Sequence, residues 1–190
     1  LLQDYDAVMD KVAEAEELGA DHRPSTLEKL AELASDTSAP KSLERKHKML
    51  RNIPKILPPE LVKTMMEMGH SDVLILADAN FPGTAHAKKM IRMDGIMIPE
   101  LLKAILQLFP LDNFIDNPVR LMRNLPTEPV PEIWETYREL LNKYDKDDAF
   151  HDFEFIDRLP FYKTAEDAFV IVQTGDESRY GNIILQKGVC

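Results

Sequence analysis

Apolar and polar positions first alternate at helical spacing, with Tyr5, Val8, Met9, Val12 and Leu18 on one face and Gly19 where a helix end takes a residue without a Cβ. A second helix is predicted from Ser25, whose hydroxyl can cap the first turn while Glu28 reaches back. Leu27, Leu30, Ala31 and Ala34 line its apolar face. Two short helices of this kind predict a hairpin. The run from Ser35 to Pro40 has neither period nor bulk and reads as a linker.

From Met49 onward helix and strand patterns alternate. Pro58-Pro59-Glu60 opens a helix through Leu61, Val62, Met65 and Met66 to Gly69, because proline is tolerated where the first-turn N–H would be unpaired anyway. Val73 to Ala77 is an uninterrupted apolar run between Asp72 and Asp78, as expected of a strand covered on both faces. Pro99 opens a helix with Leu101, Leu102, Ile105, Leu106 and Phe109 on a broad apolar face, and Pro131 opens another with Ile133, Trp134, Tyr137, Leu140 and Leu141. The chain ends in two strand patterns, Ala168 to Val172 and Asn182 to Leu185, joined by a polar turn. A hairpin or a short crossover between them predicts a mixed sheet. The fold class is therefore α/β, a layered mixed sheet flanked by helices, with an N-terminal helical extension over residues 1–48 and a main domain over 49–190.

Composition narrows the functional classes. At 190 residues, 44% hydrophobic and 29% charged, the chain can bury a core and is not a disordered tract. Its net charge of −10 disfavours nucleic acid and anionic membrane surfaces as partners. That acidity is uneven: residues 1 to 40 carry 3 basic and 10 acidic side chains, whereas residues 41 to 52 carry 5 and 1. The basic stretch reads as a solvated junction. Cys190 is the single cysteine, which excludes an internal disulfide and a cysteine-based zinc site. No apolar run approaches the roughly 18 residues of a membrane span, and the start lacks a secretory pattern, so a reducing, cytoplasmic setting is expected.

The chain has no GxGxxG, GxxxxGK[ST], HExxH, GxSxG or EF-hand pattern, so no cofactor and no metal are expected. Acid–base and hydrogen-bonding chemistry by ordinary side chains remains. His70 sits just past a helix end, before the buried strand, and Asp78 sits at that strand's C-terminal end, where α/β sheets commonly bind ligands. Histidine titrates near neutrality and can give and take a proton in one cycle. The same histidine also suits a helix dipole, and the same aspartate suits a turn. A strand of about five residues spans roughly 17 Å, so the two residues need not touch within one chain and may serve one site from different directions or two roles. His22, His47, His86 and His151 lie in polar stretches and read as solvated, and Met65, Met66 and Met68 read as core. A second cluster comprises Arg158 and Tyr180-Gly181-Asn182, whose guanidinium, phenol and carboxamide suit vicinal sugar hydroxyls. Turn formation and an ordinary ion pair are the competing accounts of these residues.

Residues 49–190 resemble the fucose mutarotase and ribose pyranase family. The resemblance is carried by Met49-Leu50, Ile53-Pro54, Pro59-Glu60-Leu61, Met68-Gly69-His70, Ala77-Asp78 with Phe81-Pro82, and Arg92-Met93-Asp94-Gly95. It continues through Ile98-Pro99-Glu100-Leu101-Leu102, Phe109-Pro110-Leu111-Asp112, Phe161-Tyr162, Tyr180 to Leu185 and Lys187-Gly188-Val189. Arg92 to Gly95, Phe161-Tyr162 and Gly181 make it more similar to the fucose mutarotases. The resemblance implies that His70 is the catalytic acid/base, that Asp78 and Arg158 bind substrate, and that Tyr180, Gly181 and Asn182 contact the sugar by side chain or backbone. It implies cofactor-free interconversion of the α and β anomers of free L-fucose, in a homo-oligomer, decameric or smaller, with sites near subunit contacts. A D-ribose pyranase and a non-catalytic sugar-binding protein are the alternatives. Bacterial members commonly carry a second histidine where this chain has Asn80, so that residue's role is not transferred.

Overall fold

A computed structural model describes residues 50–190, and the expected N-terminal hairpin, linker and most of the basic junction lie outside them. In chain order the elements are α1 (Pro59–Glu67), β1 (Val73–Ala77), α2 (Gly83–His86), β2 (Met90–Met93), α3 (Ile98–Ile105) and β3 (Val119–Met122). They continue with α4 (Ile133–Tyr144), β4 (Glu154–Ile156), α5 (Arg158–Asp167), β5 (Val170–Thr174) and β6 (Ile183–Gln186). Proline stands in the first turn of α1 and of α3, as the sequence requires.

The six strands form one mixed sheet in the order β2-β5-β1-β6-β3-β4. β5 does not pair with β6, so the hairpin is replaced by the crossover: β1 lies between them, parallel to β5 and antiparallel to β6. β1, apolar on both faces, is thereby hydrogen-bonded along both of its edges and lies inside the sheet rather than at an open edge. Alternation along β1 divides the core. Leu74 and Leu76 face the side covered by Leu61 and Met65 of α1, Leu101, Leu102 and Ile105 of α3, and Trp134, Tyr137 and Leu141 of α4. Ile75 and Ala77 face Phe161 and Ala165 of α5.

Some expectations shift at element ends. Leu106 and Phe109 are buried but lie past the last residue of α3. Met65 and Met68 join the core as expected, whereas Met66 is 81% exposed, because three neighbouring positions cannot share one helical face.

The sheet's polarity fixes where chemistry can gather. β2, β5, β1, β3 and β4 run the same way, and β6 runs against them. The C-terminal ends of five strands and the N-terminal end of β6 therefore share one edge.

Candidate functional site

Polar side chains collect at both edges, and β6 measures the gap between them. Asn182 precedes β6 and Gln186 ends it, four steps of about 3.3 Å, so the two groups stand on the order of 13 Å apart.

At the N-terminal edge, the loop from α1 to β1 carries His70. Ser71 takes a positive φ of 68°, its amide donates to the Lys187 carbonyl at 2.8 Å, and the Gly69 amide donates to the Asp72 carboxylate at 2.6 Å. The loop is thereby pinned and the imidazole meets Asp112, with Nε2 at 3.2 and 3.1 Å from its two carboxylate oxygens. Asp112 is itself placed by an isolated bridge of Leu111 to Lys187. Gly188 permits that approach, since a Cβ there would run into the Leu111 carbonyl. The Phe114 ring stands edge-on to the imidazole at 5.4 Å.

The Asp112 carboxylate is buried, while the His70 side chain is 45% exposed. Burial alone would raise the Asp112 carboxyl. Hydrogen bonds from the Phe114 amide (3.0 Å), His70 and Gln186 Nε2 (3.0 Å) outweigh that effect and hold it below the ordinary carboxylate range. An ionised carboxylate only accepts, so it keeps a proton on Nε2 of His70 and leaves Nδ1 as the nitrogen free to take or give one. A half-exposed imidazole oriented by a buried carboxylate is an acid–base device. Nothing in the sequence marks Asp112 as the partner of His70, because 42 residues separate the pair and the bridge to Lys187 joins them.

At the C-terminal edge, Asp78 and Asn182 bond reciprocally. The Asp78 amide donates to Asn182 Oδ1 at 2.9 Å, and Asn182 Nδ2 donates to Asp78 Oδ2 at 2.5 Å. The Asn80 amide caps the other Asp78 oxygen at 2.9 Å. Burial pushes the Asp78 carboxyl up, and the nearby Asp176 carboxylate adds to this against the opposing bonds from Asn80, Asn182 and Phe81. Asp176 is buried too, with oxygens bound to the amides of Ile98 (3.1 Å) and Ser178 (2.9 Å).

Tyr180 and Gly181 enter β6 beside this pair. Tyr180 takes φ 56°, a left-handed conformation rare for a residue with a side chain. A cleft of about 290 Å³ opens there, lined by residues including Glu128, Ile133, Ser178, Arg179 and Tyr180. The neighbouring Glu128 raises the Tyr180 phenol, so it stays protonated at neutral pH. Arg158 begins α5 after β4 at this same edge, exposed and paired with no carboxylate among the described residues.

Asp78, Arg158, Tyr180, Gly181 and Asn182 thus share the C-terminal edge, and His70 stands at the other. One departure concerns His86. It is half-buried rather than solvated, stacks on Tyr162 at 5.0 Å between centroids, and has Nδ1 3.4 Å from Glu166, because α2 packs against α5. Among the described residues no three His, Cys, Asp or Glu side chains converge as a metal-ligand set.

Residues 51–190 match the RbsD / FucU transport protein family. A fucose mutarotase of Danio rerio is 44% identical over 149 residues, covering 74% of this chain and 94% of the relative. The crystal structure of a fucose mutarotase in complex with L-fucose from Streptococcus pneumoniae superposes with a TM-score of 0.70 at 45% identity, covering 74% of this chain and 99% of that one. Bacillus subtilis RbsD complexed with D-ribose aligns with a TM-score of 0.55 at 20% identity, over 70% of this chain and 95% of that one, a likeness of fold.

Proposed function

Because the chain belongs to the RbsD / FucU transport protein family, we propose that it is an isomerase, an L-fucose mutarotase that interconverts the α and β anomers of the free sugar. The observation that carries the chemistry is the half-exposed His70 on the ionised, buried Asp112. Mutarotation needs a proton to leave the anomeric hydroxyl while the ring oxygen gains one. The C1–O5 bond breaks, the open aldehyde turns its other face, and O5 adds back as the protons return. A group that both accepts and donates serves each half of that cycle, and Nδ1 of His70 is such a group.

Asp78 and Asn182 suit the sugar hydroxyls, one accepting and the other able to do both, with Arg158 and Tyr180 as further donors and Gly181 offering backbone. Burial at Asp78 strengthens each such bond. His70 stands across the sheet from these residues, so the complete site is built between copies. The His70 edge of one protomer meets the Asp78 edge of another in a homo-oligomer, decameric or smaller. The catalytic unit is residues 49–190. The exposed thiol of Cys190 fits a reducing compartment such as the cytoplasm, and among the described residues no helix is long and apolar enough to cross a membrane.

NMR exchange spectroscopy on equilibrated sugars tests the reading. Exchange between the anomers of L-fucose should accelerate with protein concentration, and His70→Ala should lower kcat about 10²- to 10⁴-fold, the usual contribution of a positioned acid–base group. Pyranose–furanose exchange on D-ribose without fucose exchange would assign a ribose pyranase instead. Exchange on neither sugar would leave a sugar-binding protein.

A further inference from the structure

Trp134 and Tyr137 are one turn apart on α4, and each donates to a successive carbonyl of the segment that enters β6. Trp134 Nε1 reaches the Tyr180 carbonyl at 2.9 Å, and the Tyr137 hydroxyl reaches the Gly181 carbonyl at 2.7 Å. We propose that Trp134 and Tyr137 are positioning residues for sugar binding, clamping the Tyr180-Gly181 backbone so that the Tyr180 phenol and the Asn182 amide are held at the Asp78 edge. The inference rests on the mutarotase reading for what those groups bind.

Several observations converge on the clamp. Tyr180 is held at φ 56°, and a residue stays in that region only where its surroundings over-determine it. Gly181 donates to the Ser178 carbonyl at 3.1 Å, closing a tight turn in which a Cβ would come within 3.0 Å of that oxygen and 3.6 Å of the Tyr137 hydroxyl. Helix positions i and i+3 share a face, so two donors on one rigid element fix two consecutive peptide groups. α4 is anchored independently of the segment: Tyr137 and Leu141 are fully buried in the core, with Ile133 and Trp134 beside them. Burial also pushes the Tyr137 phenol far above its ordinary value, so it remains a donor throughout the pH range of the reaction.

The geometry downstream makes this more than core satisfaction. Asn182 follows Gly181 directly, and both of its amide atoms engage Asp78. Rotation of either clamped peptide would therefore move the phenol on one side and the carboxamide–carboxylate pair on the other. A clamp at this place governs ground-state grip on the sugar while leaving proton transfer at His70 untouched.

Trp134→Phe and Tyr137→Phe each keep a ring and delete one donor. With the fold verified by circular dichroism and melting above the assay temperature, each should raise KM for L-fucose about tenfold with kcat within about twofold of the parent. Each should also shift the Asn182 side-chain amide signals in the ¹H–¹⁵N spectrum of the free protein. The double variant should fall short of the product of the two, since both donors act on one segment. Variants that lose melting temperature but keep KM, kcat and the Asn182 signals would overturn the proposal. Should Tyr137→Phe fail to fold, Trp134→Phe alone decides. If the parent exchanged neither L-fucose nor D-ribose, the mutarotase reading would fall, and the Asn182 signals would still judge the clamp.

Discussion

At the scale of single residues, the informative contrast is between two buried carboxylates whose surroundings push them in opposite directions. Asp112 collects donors from Phe114, His70 and Gln186 and is held low, whereas Asp78 feels burial and a second carboxylate and is raised. The first therefore behaves as a fixed negative charge that sets the histidine's proton, and the second as a group ready to share a proton with a hydroxyl. Asp112→Asn tests the first role. The replacement is isosteric but lacks the charge that keeps the proton on Nε2, so kcat should fall on the order of 10- to 100-fold while KM holds, because the sugar is gripped elsewhere. Unchanged kcat would show that Asp112 does no more than support the loop. This outcome would also separate the pair's chemistry from that of His70→Ala, which removes the proton carrier itself.

At the scale of elements, β1 and β6 form the beam on which both edges hang. β1 pairs with both β5 and β6, and its Leu76 is fully buried on the face of α1, α3 and α4. Leu76→Ala should cost about 2 to 5 kcal/mol, read as a lower urea midpoint at unchanged slope. A loss under about 1 kcal/mol would mean that the helices collapse onto the gap and carry less of the fold than their burial suggests. The same elements decide how much was legible in advance. α1, α3 and α4 carry a helical period, and β1, β5 and β6 an uninterrupted apolar run, so their type follows from the sequence. β2, β3 and β4 are four, four and three residues long, too short for alternation to stand out. α5 buries only Phe161 and Ala165 of its ten residues, so no apolar face marks it as a helix in the sequence. Asp78 and Asn182 are visible because the C-terminal edge of an α/β sheet is where ligands bind, and His70 because histidine titrates near neutrality. The partnership of His70 with Asp112 is not, because a bridge between residues 111 and 187 made it.

At the scale of the whole molecule, the two carboxylates write opposite marks on the dependence of stability on pH. The lowered Asp112 contributes stability that is fully present above its ordinary value of 3.8 and is lost as pH falls through its lower folded value. The raised Asp78 does the reverse: the folded chain binds its proton more readily than the unfolded one. Stability is then gained as pH falls from the raised folded value toward 3.8, and lost again as pH rises through that window. Urea midpoints measured from about pH 7 to about pH 2 for the parent, Asp112→Asn and Asp78→Asn should resolve the two. The stability gap between parent and Asp112→Asn should hold level above 3.8 and close below it. The gap between parent and Asp78→Asn should shift in the parent's favour on the way down to 3.8 and then level off. Gaps that run parallel at every pH would mean that neither carboxyl changes its proton affinity on folding, and the assignment of a fixed charge to one edge and a shared proton to the other would lose its physical basis.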